Sequence, residues 1–273
     1  MAGPELPIVQ YWDVGEPPGY VVDLLATFRA RNPDMQHQLF DERQAEEFIS
    51  ERFGERELAA FRSCAVPAMR ADYFRYCAVL AQGGIYADAS FCCVSPLGPL
   101  LGGPDRGVLF RNASPGFVLN GFFGFAAPGH PLLRLALDLA TASIERRAAE
   151  LVQMVTGPGV FTGLWVLHRL GSTESLHREA SAHGLECLAD PFRREAMALA
   201  PTAAGRKGVE RMVEPLFDTV ADLARVEAAF EGVRVAPYEA MAELVAAPER
   251  PLPHKDDGTY WINWQRQGRT IFR

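Results

Sequence analysis

The sequence predicts an α/β protein with a mostly parallel central sheet flanked by helices, and three observations carry that class. Short apolar runs bounded by Pro, Gly and Asn alternate with segments whose apolar residues recur at helical spacing, from the N-terminus to about residue 93. Strands that alternate with helices build parallel sheets covered by those helices. The chain has 273 residues, 48% of them hydrophobic, enough for a substantial buried core.

Taken in order, Pro7 to Trp12 is an apolar run followed by the turn Gly15-Glu16-Pro17-Pro18-Gly19, which reads as a first buried strand. Val21, Leu24, Leu25 and Phe28 fall at i, i+3, i+4 and i+7, a helix that Asn32-Pro33-Asp34 stops. Gln36 to Phe40 is a second strand, and Asp41 caps a helix whose apolar face is Ala45, Phe48 and Ile49. From Pro67, a favoured first-turn residue, Met69, Tyr73, Tyr76, Cys77 and Leu80 keep helical spacing until Gly83-Gly84 ends the run. Ile85 to Cys93 then reads as one strand, with Asp88 near its carboxyl end, where ligands sit in parallel sheets.

Beyond a Pro/Gly-rich connector at residues 95–104, Val108 to Phe110 and the Gly/Phe-rich run from Gly116 to Phe125 read as strands on the far side of the site. Leu132 to Met154 holds a long amphipathic helix, Thr156-Gly157-Pro158-Gly159 is a turn, and Val160 to Leu170 is helical. Ala196 to Glu214 mixes Gly, Pro, Arg and Lys and is expected to be a surface loop able to lie over a ligand.

A formal net charge of -7 argues against global attraction to nucleic acid. The N-terminus lacks a basic region followed by an apolar one, and no run approaches the roughly 20 apolar residues of a membrane span. A soluble, cytoplasmic protein is expected; peripheral membrane contact is compatible with that. The five cysteines, Cys64, Cys77, Cys92, Cys93 and Cys187, lack zinc-like spacing and read as free, mostly buried thiols.

Chemistry concentrates between Arg70 and Ser90. Asp88 is a hard-oxygen ligand suited to magnesium or manganese. Ser90, two residues on, supplies a neutral oxygen where a paired site would have a second carboxylate. Asp72 and Arg75 stand three apart on one helix and share a face. They suit sugar hydroxyls and phosphate, and equally form a local ion pair.

These residues resemble glycosyltransferase family 32, the DXD-motif sugar transferases that include capsular-polysaccharide and initiating mannosyltransferase types, and more distantly the glucosylating toxin domains. The family pattern is approximately Ala-Asp-x-x-Arg-Tyr, a short helical spacer, and Gly-Gly-Ile-Tyr-x-Asp-x-Asp. This chain has Ala71-Asp72-Tyr73-Phe74-Arg75-Tyr76 and then Gly83-Gly84-Ile85-Tyr86-Ala87-Asp88-Ala89-Ser90, departing from the pattern at Ser90. Weaker matches follow in order: Pro7 to Trp12, Asn32-Pro33-Asp34, Gly129-His130-Pro131 and Thr156-Gly157-Pro158.

The resemblance implies a GT-A fold in one continuous domain over residues 1–273. About 1–125 would form the nucleotide-sugar half and about 126–273 the acceptor side with a C-terminal lid. It implies transfer of a hexose from a UDP- or GDP-sugar to a hydroxyl acceptor, with retention and with Mn2+ or Mg2+ assistance. The acceptor would be a glycan, lipid-linked sugar, protein or small molecule.

By position, Asp88, Arg75 and Asn120 would be catalytic, and Asp88, Ser90 and His254 would hold the metal. Tyr11, Trp12, Asp72, Arg75, Tyr86, Asp88, Ser90, Thr259 and Trp261 would bind the donor, Trp264 being an alternative to Trp261. Loss of the second carboxylate leaves a noncatalytic nucleotide-sugar-binding protein as the competing expectation. A metal-dependent hydrolase using Asp88 is a third reading, which no carboxylate–His cluster in the sequence supports.

Other residues read as structural. His130 fits a helix start, and His168, His177 and His183 have no carboxylate or cysteine at ligand spacing. Phe122, Phe123 and Phe125 suit core packing better than acceptor stacking. Arg206, Lys207 and Arg211 read first as a solvated group, and otherwise as contacts to an anionic acceptor or to the diphosphate.

Overall fold

A computed structural model describes residues 6–13, 15–113, 116–183, 185–199, 203–220, 222–248, 252–255 and 260–273. The first half alternates as expected: β1 (Ile8–Tyr11), α1 (Gly19–Arg31), β2 (His37–Phe40), α2 (Glu42–Arg52), α3 (Glu55–Ser63), α4 (Pro67–Gln82) and β3 (Gly84–Ala87). Then come β4 (Cys92–Cys93), β5 (Gly107–Arg111) and β6 (Val118–Phe125). A helical stretch follows: α5 (Pro131–Glu145), α6 (Val152–Val155), α7 (Pro158–Gly171), α8 (Glu174–His183), α9 (Ala189–Leu199), α10 (Ala203–Thr219) and α11 (Leu223–Phe230). The chain closes with β7 (Val233–Pro237), α12 (Tyr238–Ala242), β8 (Val245–Ala246) and α13 (Trp261–Arg266).

Among the described residues, six strands form the central sheet in the order β2-β1-β3-β6-β5-β7. β1 runs parallel to β2 and β3, and β5 runs parallel to β7. Only β6 is antiparallel to its neighbours, β3 and β5, so the sheet is mostly parallel. Strand alternation sorts the core onto two faces. Ile8, Ile85, Val108, Phe110 and Phe122 pack with Phe28 and Leu97 on one side. Val9, Tyr86, Leu109, Phe123 and Phe125 pack with the residues of α4, α5 and α7 on the other.

The local signals in the sequence are realised. Asp41 and Gln44 form a capping box, the Asp41 Oδ1 accepting from Gln44 N at 2.7 Å. Asn32 ends α1, and its Oδ1 also accepts from Leu97 N at 2.6 Å, which fixes the connector between β4 and β5. Phe122, Phe123 and Phe125 are fully buried, as core residues should be. All five cysteines are free, with Cys64, Cys77 and Cys93 buried.

Gly83 and Gly84 turn the chain from α4 into β3 with positive φ at both, 71° and 97°. A Cβ at Gly84 would run into the Pro7 carbonyl, which accepts from Ile85 N at 2.9 Å and fixes the register of β3 on β1. Gly84→Ala is therefore expected to destabilise the fold by about 2–4 kcal/mol, read as a lower urea midpoint at unchanged slope.

Two expectations are corrected. Residues 85–93 are not one strand: after β3 the chain turns through Asp88–Phe91, closed by Phe91 N donating to Asp88 O at 3.0 Å. It resumes as β4, which pairs with β8 in a separate two-stranded ladder. Ala89 is buried and Phe91 half-buried, so the apolar pattern carries on through the turn and hides it. The described residues of the 196–214 stretch, 196–199 and 203–214, are not a surface loop but the end of α9 and most of α10. Val209, Met212, Val213 and Leu216 are buried at helical spacing, and Gly208 admits close packing against Met154. The Gly, Arg and Lys content obscures that period.

Candidate active site

The site forms where α4 meets the carboxyl end of β3. Arg70, Asp72 and Arg75 are buried on α4, although charged residues are rarely buried without partners. Their partners come from neighbouring elements. Tyr86 and Asp88 lie two apart, so both point to the sheet face that α4 covers. Arg75 Nη2 lies 3.0 Å from both Asp72 Oδ1 and Asp88 Oδ1. Its Nη1 donates to Asn120 O at 2.7 Å, its Nε donates to Ala71 O at 3.2 Å, and its guanidinium lies 4.5 Å from the Tyr86 ring centroid.

Asn120, on β6, donates through Nδ2 to Asp72 Oδ1 at 3.0 Å and to the Tyr76 hydroxyl at 3.2 Å. Tyr76 in turn donates to Thr156 O at 2.7 Å. Burial pushes the Asp72 carboxyl up to about 6; Arg75, Asn120 and Thr156 pull it down and Asp88 adds to the rise. Asp88 is the more open of the two, its side chain 33% exposed. Its Oδ1 is occupied by Arg75 and by the Tyr86 hydroxyl at 3.2 Å. Its Oδ2 accepts no hydrogen bond from the described residues and lies 2.6 Å from where a Cβ on Gly121 would stand, so the absence of a side chain there keeps the carboxylate in place.

Behind the strands, Arg29 Nε donates to His37 Nδ1 at 3.2 Å, which leaves the proton on Nε2 to donate to Gln10 Oε1. Gln10 Nε2 then reaches Asp88 O at 3.5 Å. Burial, with Arg29 beside it, lowers His37 to about 4, consistent with that neutral tautomer.

A cavity of about 600 Å³ opens over this cluster. Its lining brings together Tyr11, Trp12, Asp72, Arg75, Tyr86, Asp88, Ser90, Asn120, His254 and Trp261, the described residues that the sequence put first for catalysis, donor or metal; the alternative Trp264 is not among them. Thr259 lies outside the described residues. The His254 ring stands edge-on to Trp12 and stacks on Tyr20, whose hydroxyl is 3.1 Å from its Nδ1. Tyr260 and Trp261 continue this aromatic wall, with ring centroids 5.9 Å apart.

Other candidates fall elsewhere. Trp264 donates to Thr270 O and lies under Arg269, away from the cavity lining. His130 caps α5 through Nδ1, His168 stacks on Phe230, and Arg206, Lys207 and Arg211 sit on α10. Asp13, Lys255 and Tyr260 line the cavity without having been nominated. Asp13 is held by Arg70 through Nε at 2.7 Å, a pair separated by 57 residues that no local spacing reveals.

As for a metal, Asp88 offers one open carboxylate oxygen and Ser90 a neutral one. Among the described residues no group of three His, Cys, Asp or Glu side chains is placed to hold an ion. These donors fit a divalent ion only if most of its ligands come from a bound diphosphate. No helix among the described residues is long and apolar enough to cross a membrane.

Comparison with known proteins agrees with this architecture. Residues 18–106 match the glycosyltransferase sugar-binding region containing a DXD motif. The chain is 31% identical over 173 residues to inositol phosphoceramide mannosyltransferase 3 of Schizosaccharomyces pombe (strain 972 / ATCC 24843), covering 62% of this chain and 47% of that protein. It is 28% identical over 166 residues to the initiation-specific alpha-1,6-mannosyltransferase of the same organism, covering 50% of this chain and 41% of that one. The chain thus spans less than half the length of these relatives. The solved PaToxG glycosyltransferase superposes with a TM-score of 0.50 at 18% identity, covering 78% of this chain and 87% of that one, a likeness of fold. These matches support a glycosyltransferase family 32-like protein of the DXD-motif type, on an α/β fold with a mostly parallel sheet, with Ser90 standing where the motif has its second Asp.

Proposed function

We propose that this chain transfers a hexose from a nucleotide-sugar donor to a hydroxyl acceptor with retention of configuration. The observation that carries the reading is the single cavity in which Arg75 holds Asp72 and Asp88 together beneath the aromatic wall of Tyr11, Trp12 and Trp261. Aromatic faces suit a nucleobase and a sugar ring, while carboxylates accept from sugar hydroxyls. The relatives named as mannosyltransferases put mannose first among the hexoses to test.

In the transfer, the bond from the anomeric carbon to the diphosphate oxygen breaks and its electron pair leaves with the diphosphate. The acceptor oxygen bonds to that carbon on the same face, and the acceptor's proton passes to the departing phosphate oxygen. No enzymic nucleophile is needed; positioning and electrostatics supply the rate. Asp72, nearly enclosed and tied by Asn120 and Thr156, orients the sugar. Arg75 directs its donors inward to Asp72, Asp88 and Asn120, so it acts by holding both carboxylates in position. Asp88 and Ser90 would hold Mn2+ or Mg2+ arriving with the donor, with His254 as a further ligand; such an ion supplies charge neutralisation at the diphosphate.

Ser90 also favours a second reading, a nucleotide-sugar-binding protein without turnover. A panel of UDP- and GDP-hexoses, GDP-mannose included, decides between them by thermal shift joined to a product assay with sugar and lipid acceptors. Binding raises the melting temperature in both readings. Transfer to an acceptor supports the enzyme, binding without transfer or hydrolysis supports the binder, and phosphate release without an acceptor supports a hydrolase. Because the Asp72 carboxyl titrates at about 6 and its anion is the form that accepts sugar hydroxyls, transfer should fall as pH drops below about 6. Asp72→Asn should remove that acidic limb along with most of the rate, as the rate–pH profile would show.

A further inference from the structure

If the cavity is a nucleotide-sugar site, as proposed above, one charged residue of its walls stands apart from the rest. The carboxylates that line it are Asp13, Asp72 and Asp88, and the Lys and Arg side chains are Arg75 and Lys255. Asp13 is neutralised by Arg70 from behind. Asp72 and Asp88 share Arg75, whose remaining donors point to the backbone of Asn120 and Ala71. Lys255 forms no ion pair with any described residue.

The base that carries Lys255 is anchored. It ends the short 3-10 turn Pro253–Lys255; its N donates to Leu252 O at 2.9 Å and its O accepts from Asn263 Nδ2 at 3.3 Å. The neighbouring His254 ring is seated against Trp12 and Tyr20. A half-buried ammonium on a fixed backbone thus faces the same cavity as Asp88 and Ser90.

A sugar diphosphate brings about two negative charges to its bridge, and these grow on the leaving oxygen as the sugar departs. A metal held by two carboxylates ordinarily meets that charge, but here Ser90 leaves one. We propose that Lys255 binds the donor's diphosphate directly, as a compact cation that compensates for the missing carboxylate, so that donor binding persists without a divalent ion. A lysine suits this role because its three donors rotate to whichever phosphate oxygens are presented.

The test is calorimetric titration of UDP and of GDP in EDTA and in Mn2+, with wild type, Lys255→Ala, Lys255→Arg, and Lys255→Ala combined with Ser90→Asp, each checked for a cooperative melt. Wild type is expected to bind one nucleotide in EDTA, and Lys255→Ala to bind it about 10-fold or more weaker there. Lys255→Arg should restore much of the loss. Adding Ser90→Asp to Lys255→Ala should restore binding in Mn2+ but not in EDTA. Lys255→Ala binding as tightly as wild type in EDTA, or wild type that binds only with Mn2+, overturns the assignment of Lys255 and leaves the nucleotide-sugar reading standing. Failure of both nucleotides to bind folded wild type in either buffer overturns both.

Discussion

Asp88→Asn is expected to lower sugar transfer by about 100- to 1,000-fold while leaving the melting temperature within a few degrees of wild type. The amide oxygen can still accept from Arg75 and Tyr86, which occupy Oδ1 in the native site. What changes is the atom at the Oδ2 position, where an open anionic acceptor becomes a donor. Charge at the cavity is altered and shape is not, so a large loss of rate with an intact melt assigns Asp88 to donor chemistry. Full activity in Asp88→Asn or in Asp88→Ala would remove Asp88 from the site.

Arg75→Ala carries the largest expected cost in stability, about 3–5 kcal/mol, because it strands two carboxylates, one of them nearly enclosed. For a domain of this size that is a fall in melting temperature of roughly 10 °C. Arg75→Lys should recover little, since one ammonium cannot reach Asp72, Asp88 and the Asn120 carbonyl from its place above the Tyr86 ring. Adding Asp72→Asn to Arg75→Ala should return part of the loss by removing the most buried unpaired charge. A double variant whose cost equals the sum of the costs of Arg75→Ala and Asp72→Asn alone would show that Asp72 and Arg75 are not coupled. Differential scanning calorimetry of wild type, Arg75→Ala, Asp72→Asn and the double variant measures this, with Arg75→Lys run beside them.

The architecture was legible wherever local physical chemistry decides it. Asp41 with Gln44 marked a helix start, Asn32-Pro33 a stop, and Gly83-Gly84 the passage from α4 into β3, and each stands where its signal placed it. The helical spacing of Asp72 and Arg75 put those two side chains on one face, and the family resemblance nominated Tyr86 and Asp88 beside them. Helices α9 and α10 were hidden because their buried residues are diluted by Gly, Arg and Lys. The turn at Asp88–Phe91 was hidden because its apolar residues stay at least partly covered. Asp13 with Arg70, and the arrival of Lys255 and Tyr260 in the cavity, depend on contacts between remote parts of the chain. No periodicity encodes such contacts.

The small ladder of β4 and β8 has a consequence for how the cavity is assembled. Cys92 and Cys93, which directly follow the Asp88 turn, pair with Ala246 and Val245, and Ser95 donates to Glu243 O at 2.7 Å. The chain leaving one wall of the cavity is thereby fastened to the chain about to supply the other, only eight positions before His254. His254 and Lys255 are thereby kept on the same cavity lining as Asp88 and Ser90 by a short intramolecular link, which holds them there at high effective concentration. If Lys255 takes the role proposed for it, the group that stands in for the second carboxylate comes from the opposite end of the sequence, with the two-stranded ladder as the common anchor.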